Sequence, residues 1–136
     1  MGFGFPAAMG IKQNFPEDDV VCVTGEGSFQ MMMQELSTCK QYGVGVKIVN
    51  LNNASLGMVR QWQTLFYDGR HSNTDLNTGH GTARIPDFVK LADAFGMLGI
   101  RVTDKTQVMP AILKAMECDG PALIDFVVEE EENVYP

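Results

Sequence analysis

Two apolar runs, each ending in a polar cluster, constrain the fold of this chain most strongly. Residues 20–24 form a β-branched run without polar alternation, and residues 46–51 form a second run. Continuous runs of this kind are typical of strands that are buried on both faces in parallel sheets. The first run ends at residues 25–28, which read Gly-Glu-Gly-Ser, and the second ends at Asn52 and Asn53. The sequence therefore predicts two parallel strands with polar residues at their carboxyl ends.

Helical patterns separate the predicted strands along the chain. Gly43 is a natural helix C-cap, and residues 67–84, rich in Gly, Asn, Thr and Ser, predict a long loop. Strands that alternate with helices predict an α/β fold, a parallel sheet flanked by helices. The predicted helices cover residues 5–13, 29–42, 56–66, 86–95 and 106–118, and the predicted strands cover residues 20–24, 46–51, 99–102 and 122–128.

Composition and charge exclude several classes of protein. The 136 residues suffice for one domain, and a net charge of −7 argues against a nucleic-acid or anionic-membrane surface. No apolar stretch is long enough to span a membrane, and no signal peptide is recognisable. Three cysteines without metal-ligand spacing predict buried free thiols in a reducing compartment, the cytoplasm or, in a eukaryote, an organellar stroma.

The two polar clusters carry the residue types of a metal and phosphate site. Ligands bind beyond the carboxyl ends of parallel strands, so we expect the clusters to meet there. Gly25 and Gly27 predict turn conformations and a close approach to a bulky anion, and Ser28 predicts a cap for the next helix. Glu26 and Asn53 offer oxygen ligands suited to Mg²⁺ or Ca²⁺. Either cluster alone is more typical of an ordinary turn, but together they predict a divalent cation that holds a diphosphate.

The sequence from residue 9 to residue 28, completed by Asn52 and Asn53, resembles the signature of thiamine-diphosphate enzymes. Residues 34–38 and 51–63 are similar to the catalytic large subunit of acetolactate synthase (acetohydroxyacid synthase), and residues 57–63 discriminate within the superfamily. The resemblance implies that residues 1–136 are a single C-terminal thiamine-diphosphate-binding domain, a fragment of a longer chain. It extends over nearly the whole chain, through residues 67–72, 86–92 and 132–136.

The resemblance also implies roles for individual residues. Glu26, Asn53 and the backbone carbonyl of Ser55 would hold Mg²⁺, and Trp62 would line the substrate channel. For Trp62, a packed core position is the alternative. The family usually has Asp where Glu26 stands, and one extra methylene moves the carboxylate by roughly 1.5 Å. The diphosphate and thiazolium would be lined by Met1, Gly25, Gly27, Ser28, Leu56, Gly57 and Met58.

The parent enzyme implied by the resemblance decarboxylates pyruvate and ligates it to a second 2-keto acid in branched-chain amino-acid biosynthesis. Its activating glutamate lies in a pyrimidine-binding domain and its FAD in a further domain, both absent here. We therefore predict no catalytic residue in this chain and no turnover by it alone.

The resemblance implies a homodimer or higher homo-oligomer, with a regulatory small subunit as a possible partner. An exposed apolar face around Phe3, Phe5, Met9 and Met58 is expected to support this association. Alternatives are another thiamine-diphosphate enzyme, such as glyoxylate carboligase or pyruvate oxidase, or a non-catalytic stand-alone domain.

Overall fold

A computed structural model describes residues 1–76 and 85–130. Within these ranges the core is a four-stranded sheet whose neighbouring strands are all parallel. The strand order is β1-β2-β4-β3, so the α/β fold predicted from the alternating pattern is confirmed. The strands are β1 (Val21–Gly25), β2 (Lys47–Asn52), β3 (Leu98–Val102) and β4 (Ala122–Val127).

Helices connect the strands and cover the sheet. The left-handed backbone at Gly43, with φ of 63°, ends one of them as predicted. In the predicted loop, the described residues 67–76 hold no helix or regular strand, and one isolated bridge joins Ser55 to Asp75. Residues 77–84 and 131–136 lie outside the described residues. The helices are α1 (Gly4–Asn14), α2 (Glu26–Gln30), α3 (Leu36–Tyr42), α4 (Gly57–Phe66), α5 (Phe88–Ala94) and α6 (Val108–Met116).

The helix predicted over residues 29–42 is wrong in one respect, because a 3₁₀ turn at Met33–Glu35 separates α2 from α3. The first of the two helices already begins at Glu26. Ser28 therefore lies inside α2 and is not its N-cap, contrary to the prediction from its residue type. Its Oγ instead accepts a hydrogen bond from the Gly2 backbone N–H at 2.9 Å.

Aromatic packing anchors α2 to one face of the sheet. The Phe29 ring is buried and contacts the rings of Phe5 and Phe88, with centroids 5.6 Å and 5.9 Å away. Phe5 is only 2% exposed, so the prediction that it belongs to an exposed face is wrong, whereas Phe3 and Met58 are exposed as predicted. Met9 packs partly buried against the same core. The buried ring of Phe29 fixes the position of the chain just after β1.

The other face of the sheet is covered by α6, through a smaller cluster around Ala111, Ala115 and Ile124. Toward β1 this face is open, and Val21 and Val23 are exposed there. No helix in residues 1–76 or 85–130 is long and apolar enough to cross a membrane.

The three cysteines are free. Cys22 and Cys39 are buried as predicted, but Cys118 is only half-buried. Burial raises the pKa of the Cys22 thiol. Burial, together with the nearby charge of Glu35, raises the pKa of Cys39 to about 11. Both buried thiols are therefore protonated at neutral pH and behave as small apolar side chains.

Candidate functional site

The candidate site lies where β1 and β2 end. Gly25 pairs with Leu51 in the parallel register, so both strands end at the same level of the sheet. The residues just beyond the two strands come into direct contact, and the Ser55 backbone N–H donates to Glu26 Oε1 at 2.9 Å. This bond joins the two polar clusters that the sequence placed 24 residues apart, Ser28 to Asn52. The structure thus brings the two clusters together, as their positions at the carboxyl ends of parallel strands predict.

The Glu26 carboxylate is the principal charge of the site. Glu26 is buried, and only 1% of the residue is exposed. Burial raises the pKa of this carboxyl, against the lowering effect of hydrogen bonds from the backbone N–H groups of Glu26, Ser55 and Asn53, while the charge of Asp125 adds a smaller upward effect. A cation at this position would favour the ionised form, because an opposite charge offsets the loss of hydration.

The loop after β2 is shaped by hydrogen bonds from side chains to the backbone. Asn52 Oδ1 accepts from the Ala54 N–H at 3.2 Å, and Asn53 Oδ1 accepts from the Ser55 N–H at 3.2 Å. Ala54 has φ of 56°, a left-handed conformation that costs a non-glycine residue about 1 kcal/mol. The Ser55 hydroxyl donates to the Thr74 carbonyl at 3.2 Å. These bonds hold Asn53 and Ser55 beside Glu26.

The glycines of the site matter for close packing and not for unusual backbone angles. Neither Gly25 nor Gly27 has a positive φ, so the prediction of turn conformations that need glycine is wrong for both. A Cβ on Gly27 would lie only 2.7 Å from Leu56 Cδ2, and one on Gly57 would lie 3.2 Å from Asn53 Nδ2. A Cβ on Gly25 would make an ordinary contact of 3.8 Å with a backbone oxygen. Close packing therefore requires glycine most clearly at position 27.

A pocket of about 350 Å³ opens between α2 and the start of α4. This volume is in the range of small-molecule sites. All the residues predicted to bind the cofactor or the metal line it: Met1, Gly25, Glu26, Gly27, Ser28, Asn53, Ser55, Leu56, Gly57 and Met58.

Sequence reasoning missed three apolar residues of the same pocket, Leu51, Val59 and Val128. Leu51 immediately precedes the predicted Asn-Asn pair, and Val59 lies within the segment that discriminates the family resemblance. Val128 directly follows β4, whose carboxyl end lies at the same edge. The rule that parallel strands end together could have identified this third side of the pocket.

Trp62 is not among the residues that line this pocket. It lies on α4, is 59% exposed and packs edge-on against Phe66 with centroids 5.8 Å apart. The alternative of a packed core tryptophan is therefore wrong. Its role in a substrate channel stays a prediction.

The donor atoms at the site are of the chemical type that Mg²⁺ prefers. Glu26 supplies a carboxylate, Asn53 an amide oxygen and Ser55 a backbone carbonyl, all hard oxygen donors. Mg²⁺ is commonly held by one or two carboxylates plus substrate phosphates and water. Among the described residues, no three or more His, Cys, Asp or Glu side chains are grouped to hold a metal ion. A metal here would thus depend on the single carboxylate of Glu26 and on neutral oxygens.

Comparisons with known proteins agree with the geometry. The chain is 49% identical over 137 residues to the acetolactate synthase large subunit of Haemophilus influenzae, covering 100% of this chain and 23% of that protein. It is 50% identical over 138 residues to that of Corynebacterium glutamicum, covering 100% of this chain and 22% of that protein. The resemblance to acetolactate synthase large subunits is confirmed, and the chain spans less than a quarter of these curated relatives.

A solved structure and a family model complete the comparison. The structure is a thiamine diphosphate-dependent 4-hydroxybenzoylformate decarboxylase of Rhodococcus jostii RHA1. It superposes with a TM-score of 0.82 at 30% identity, over 97% of this chain and 24% of that one. Residues 1–126 match the model described as "Thiamine pyrophosphate enzyme, C-terminal TPP binding domain", where TPP is the same compound as thiamine diphosphate. The chain therefore belongs to the family of C-terminal TPP-binding domains of thiamine pyrophosphate enzymes.

Proposed function

We propose that this chain is the C-terminal domain of an acetolactate synthase large subunit and supplies the diphosphate and Mg²⁺ side of its active site. One observation carries the proposal: every residue predicted for the cofactor or the metal lines a single pocket, and two of them, Ser55 and Glu26, are joined by a hydrogen bond. The parent enzyme would decarboxylate pyruvate and join the product to a second 2-keto acid, in branched-chain amino-acid biosynthesis.

Within this proposal, Mg²⁺ is held by Glu26, Asn53 and the Ser55 carbonyl. When bound, thiamine diphosphate supplies the carbanion chemistry, and the protein binds, orients and shields it. The Ser28 hydroxyl accepts its hydrogen bond from Gly2, so its own hydrogen is free to donate to a diphosphate oxygen. The absence of a side chain at Gly27 would let a diphosphate approach the backbone of α2 closely.

The apolar lining of the pocket suits the thiazolium end of the cofactor. Met1, Leu56 and Met58 are the large apolar residues proposed to contact it. Trp62 and Phe66 present an exposed aromatic pair on α4 that would border the substrate channel.

The remaining parts of the active site belong to the rest of the parent enzyme in this proposal. The pyrimidine-binding domain would provide the activating glutamate, and a further domain would bind FAD. A homodimer or higher homo-oligomer, a regulatory small subunit and a cytoplasmic or stromal location complete the proposed setting. The exposed Phe3 and Met58 are consistent with a surface that associates.

The experiment that tests the proposal is calorimetry of this chain with thiamine diphosphate and Mg²⁺. The longer side chain of Glu26 is expected to weaken binding, and Glu26→Asp is expected to strengthen it, because Mg²⁺ tolerates little departure from its preferred distances. Adding Asn53→Ala to Glu26→Asp is the control and should abolish the gain. Binding that ignores Mg²⁺, or that survives Asn53→Ala, would contradict the proposed metal site. Acetolactate formation by the chain alone would contradict the predicted dependence on the other domains.

A further inference from the structure

A polar network with a buried carboxylate at its centre adjoins the candidate metal loop, outside the pocket. Its centre is Asp125 on β4, which is 0% exposed and is not among the residues that line that pocket. Asp125 Oδ1 accepts from Asn50 Nδ2 at 2.9 Å and from Asn52 Nδ2 at 3.1 Å. Asp125 Oδ2 accepts from Arg101 Nε at 3.3 Å. A buried carboxylate is costly unless such partners satisfy it, so the position of each donor matters.

The two asparagines of the network differ in what their side-chain oxygens do. Asn52 Oδ1 accepts from the Ala54 N–H, so both ends of this amide are engaged and its orientation is fixed. Asn50 Oδ1 is buried and has no hydrogen-bond partner among the residues that the structure describes. Both asparagines thus bond the same oxygen of Asp125, but Asn52 alone links it to the Ala54 turn.

The link reaches the proposed metal donors through the backbone. Ala54 stands between Asn53 and Ser55 and holds a left-handed conformation that the Asn52 bond supports. The next N–H, that of Ser55, bonds to Asn53 Oδ1 and Glu26 Oε1. The dihedral angles of Ala54 therefore set the directions of the Asn53 side chain and of the Ser55 peptide.

We propose that Asp125 is a positioning residue for the Mg²⁺-binding loop. By fixing the Asn52 amide, it holds the Ala54 turn in the conformation that presents Asn53 and Ser55 to the metal beside Glu26. It touches neither metal nor cofactor, and it acts through Asn52. The inference rests on the proposed function, because the loop is a metal loop only in that proposal.

Amide hydrogen exchange of the chain without metal or cofactor, followed residue by residue by NMR, tests the inference. In Asp125→Ala, the exchange rates of the Ala54 and Ser55 amides are expected to rise about tenfold relative to the Ile48 amide in β2. The ratio to Ile48 removes any general loss of stability. Loop amides that accelerate no more than Ile48 would overturn the proposal.

A conservative variant separates hydrogen bonding from simple packing. Asp125→Asn keeps one acceptor oxygen for Asn52 and is expected to restore loop protection to within about threefold of the wild-type value. Equal loss of loop protection in the Asn and Ala variants would overturn the hydrogen-bonding role of Asp125.

If Asp125→Ala does not fold, a pair of asparagine variants still tests the path through Asn52. Asn52→Ala and Asn50→Ala each remove one bond to the same oxygen of Asp125, and Asn52→Ala also removes the acceptor of the Ala54 N–H. Asn52→Ala should accelerate the loop amides relative to Ile48, and Asn50→Ala should not. The same loop exchange in both variants would overturn the link through Asn52.

Addition of Mn²⁺ to the wild-type chain, with and without thiamine diphosphate, separates this inference from the proposed function. Broadening of the Ala54 and Ser55 signals is expected if the loop binds the metal. Loop exchange that depends on Asp125 without such broadening would preserve the positioning link and refute the metal assignment. Broadening without any dependence of loop exchange on Asp125 would support the metal assignment and refute the positioning link.

Discussion

Replacing Gly27 with alanine should damage the pocket while leaving the fold intact. The new Cβ would lie 2.7 Å from Leu56 Cδ2. Carbon atoms in contact stay about 3.5 Å apart or more, so the Leu56 methyl must retreat by about 0.8 Å. Leu56 lines the pocket and is half-buried, and the atom in question is the free end of its side chain. The side chain can therefore move, but it moves within the space proposed for the cofactor.

Two opposing energies, crowding and helix propensity, determine the stability of the Gly27→Ala variant. Crowding of packed side chains costs about 1–3 kcal/mol, and the low end applies because a flexible methyl yields. Alanine inside α2 regains about 1 kcal/mol of helix propensity over glycine. The free energy of unfolding should therefore fall by no more than about 1 kcal/mol, a shift of a few degrees in Tm for a domain of this size.

Two assays check the Gly27→Ala prediction. Thermal unfolding followed by circular dichroism should show the small shift, and calorimetry in the Glu26→Asp background should show at least about a tenfold loss of affinity for thiamine diphosphate with Mg²⁺. Gly10→Ala is the control, since Gly10 is an exposed position of α1 and a Cβ there meets nothing within 4 Å. It should stabilise the chain slightly and leave binding unchanged. Undiminished binding by Gly27→Ala would refute the assignment of this pocket.

Three further predictions concern stability and reactivity. The raised pKa of Glu26 means that the folded chain binds this proton more tightly than the unfolded chain. The contribution of Glu26 to the free energy of unfolding therefore falls as pH rises from its ordinary pKa through the raised one. Glu26→Gln should remove this pH dependence in metal-free urea titrations at a series of pH values, and an unchanged pH dependence would contradict the prediction. Phe29→Ala should cost about 3–5 kcal/mol in the same urea titrations, since the ring is buried between two others; a loss below about 1 kcal/mol would refute this packing. Cys118, half-buried, should react with a thiol reagent at pH 8 well before Cys39, whose pKa is raised to about 11, and an equal rate would show that Cys39 is accessible.

The meeting of Glu26 with the loop after β2 could be predicted because it depends on β1 and β2 being parallel and adjacent. Parallel strands end at one edge, and the residues immediately beyond each strand can be read directly from the sequence. The break between α2 and α3 could not be predicted, because buried positions at Phe29 and Leu36 satisfy a helical period whether the helix is continuous or interrupted.

Contacts between distant segments explain the other differences. Ser28 is a reasonable helix cap by residue type, but its actual partner, Gly2, lies 26 positions away. Phe5 is apolar in an apolar segment, and the sequence does not reveal that α1 turns it toward Phe29 and not toward solvent. The Asp125 network could not be predicted for the same reason, since its bonds to Asn50 and Asn52 span 75 and 73 positions.

The left-handed backbone at Ala54 has a consequence for which sequences this site can accept during evolution. A residue branched at Cβ, such as valine, isoleucine or threonine, is strongly disfavoured at φ of 56°, whatever the chemistry of the reaction. Glycine, asparagine and aspartate adopt that angle at lower cost. Substitutions at position 54 should therefore be limited by backbone shape alone, whereas at position 53 the proposed metal site would require a side-chain oxygen.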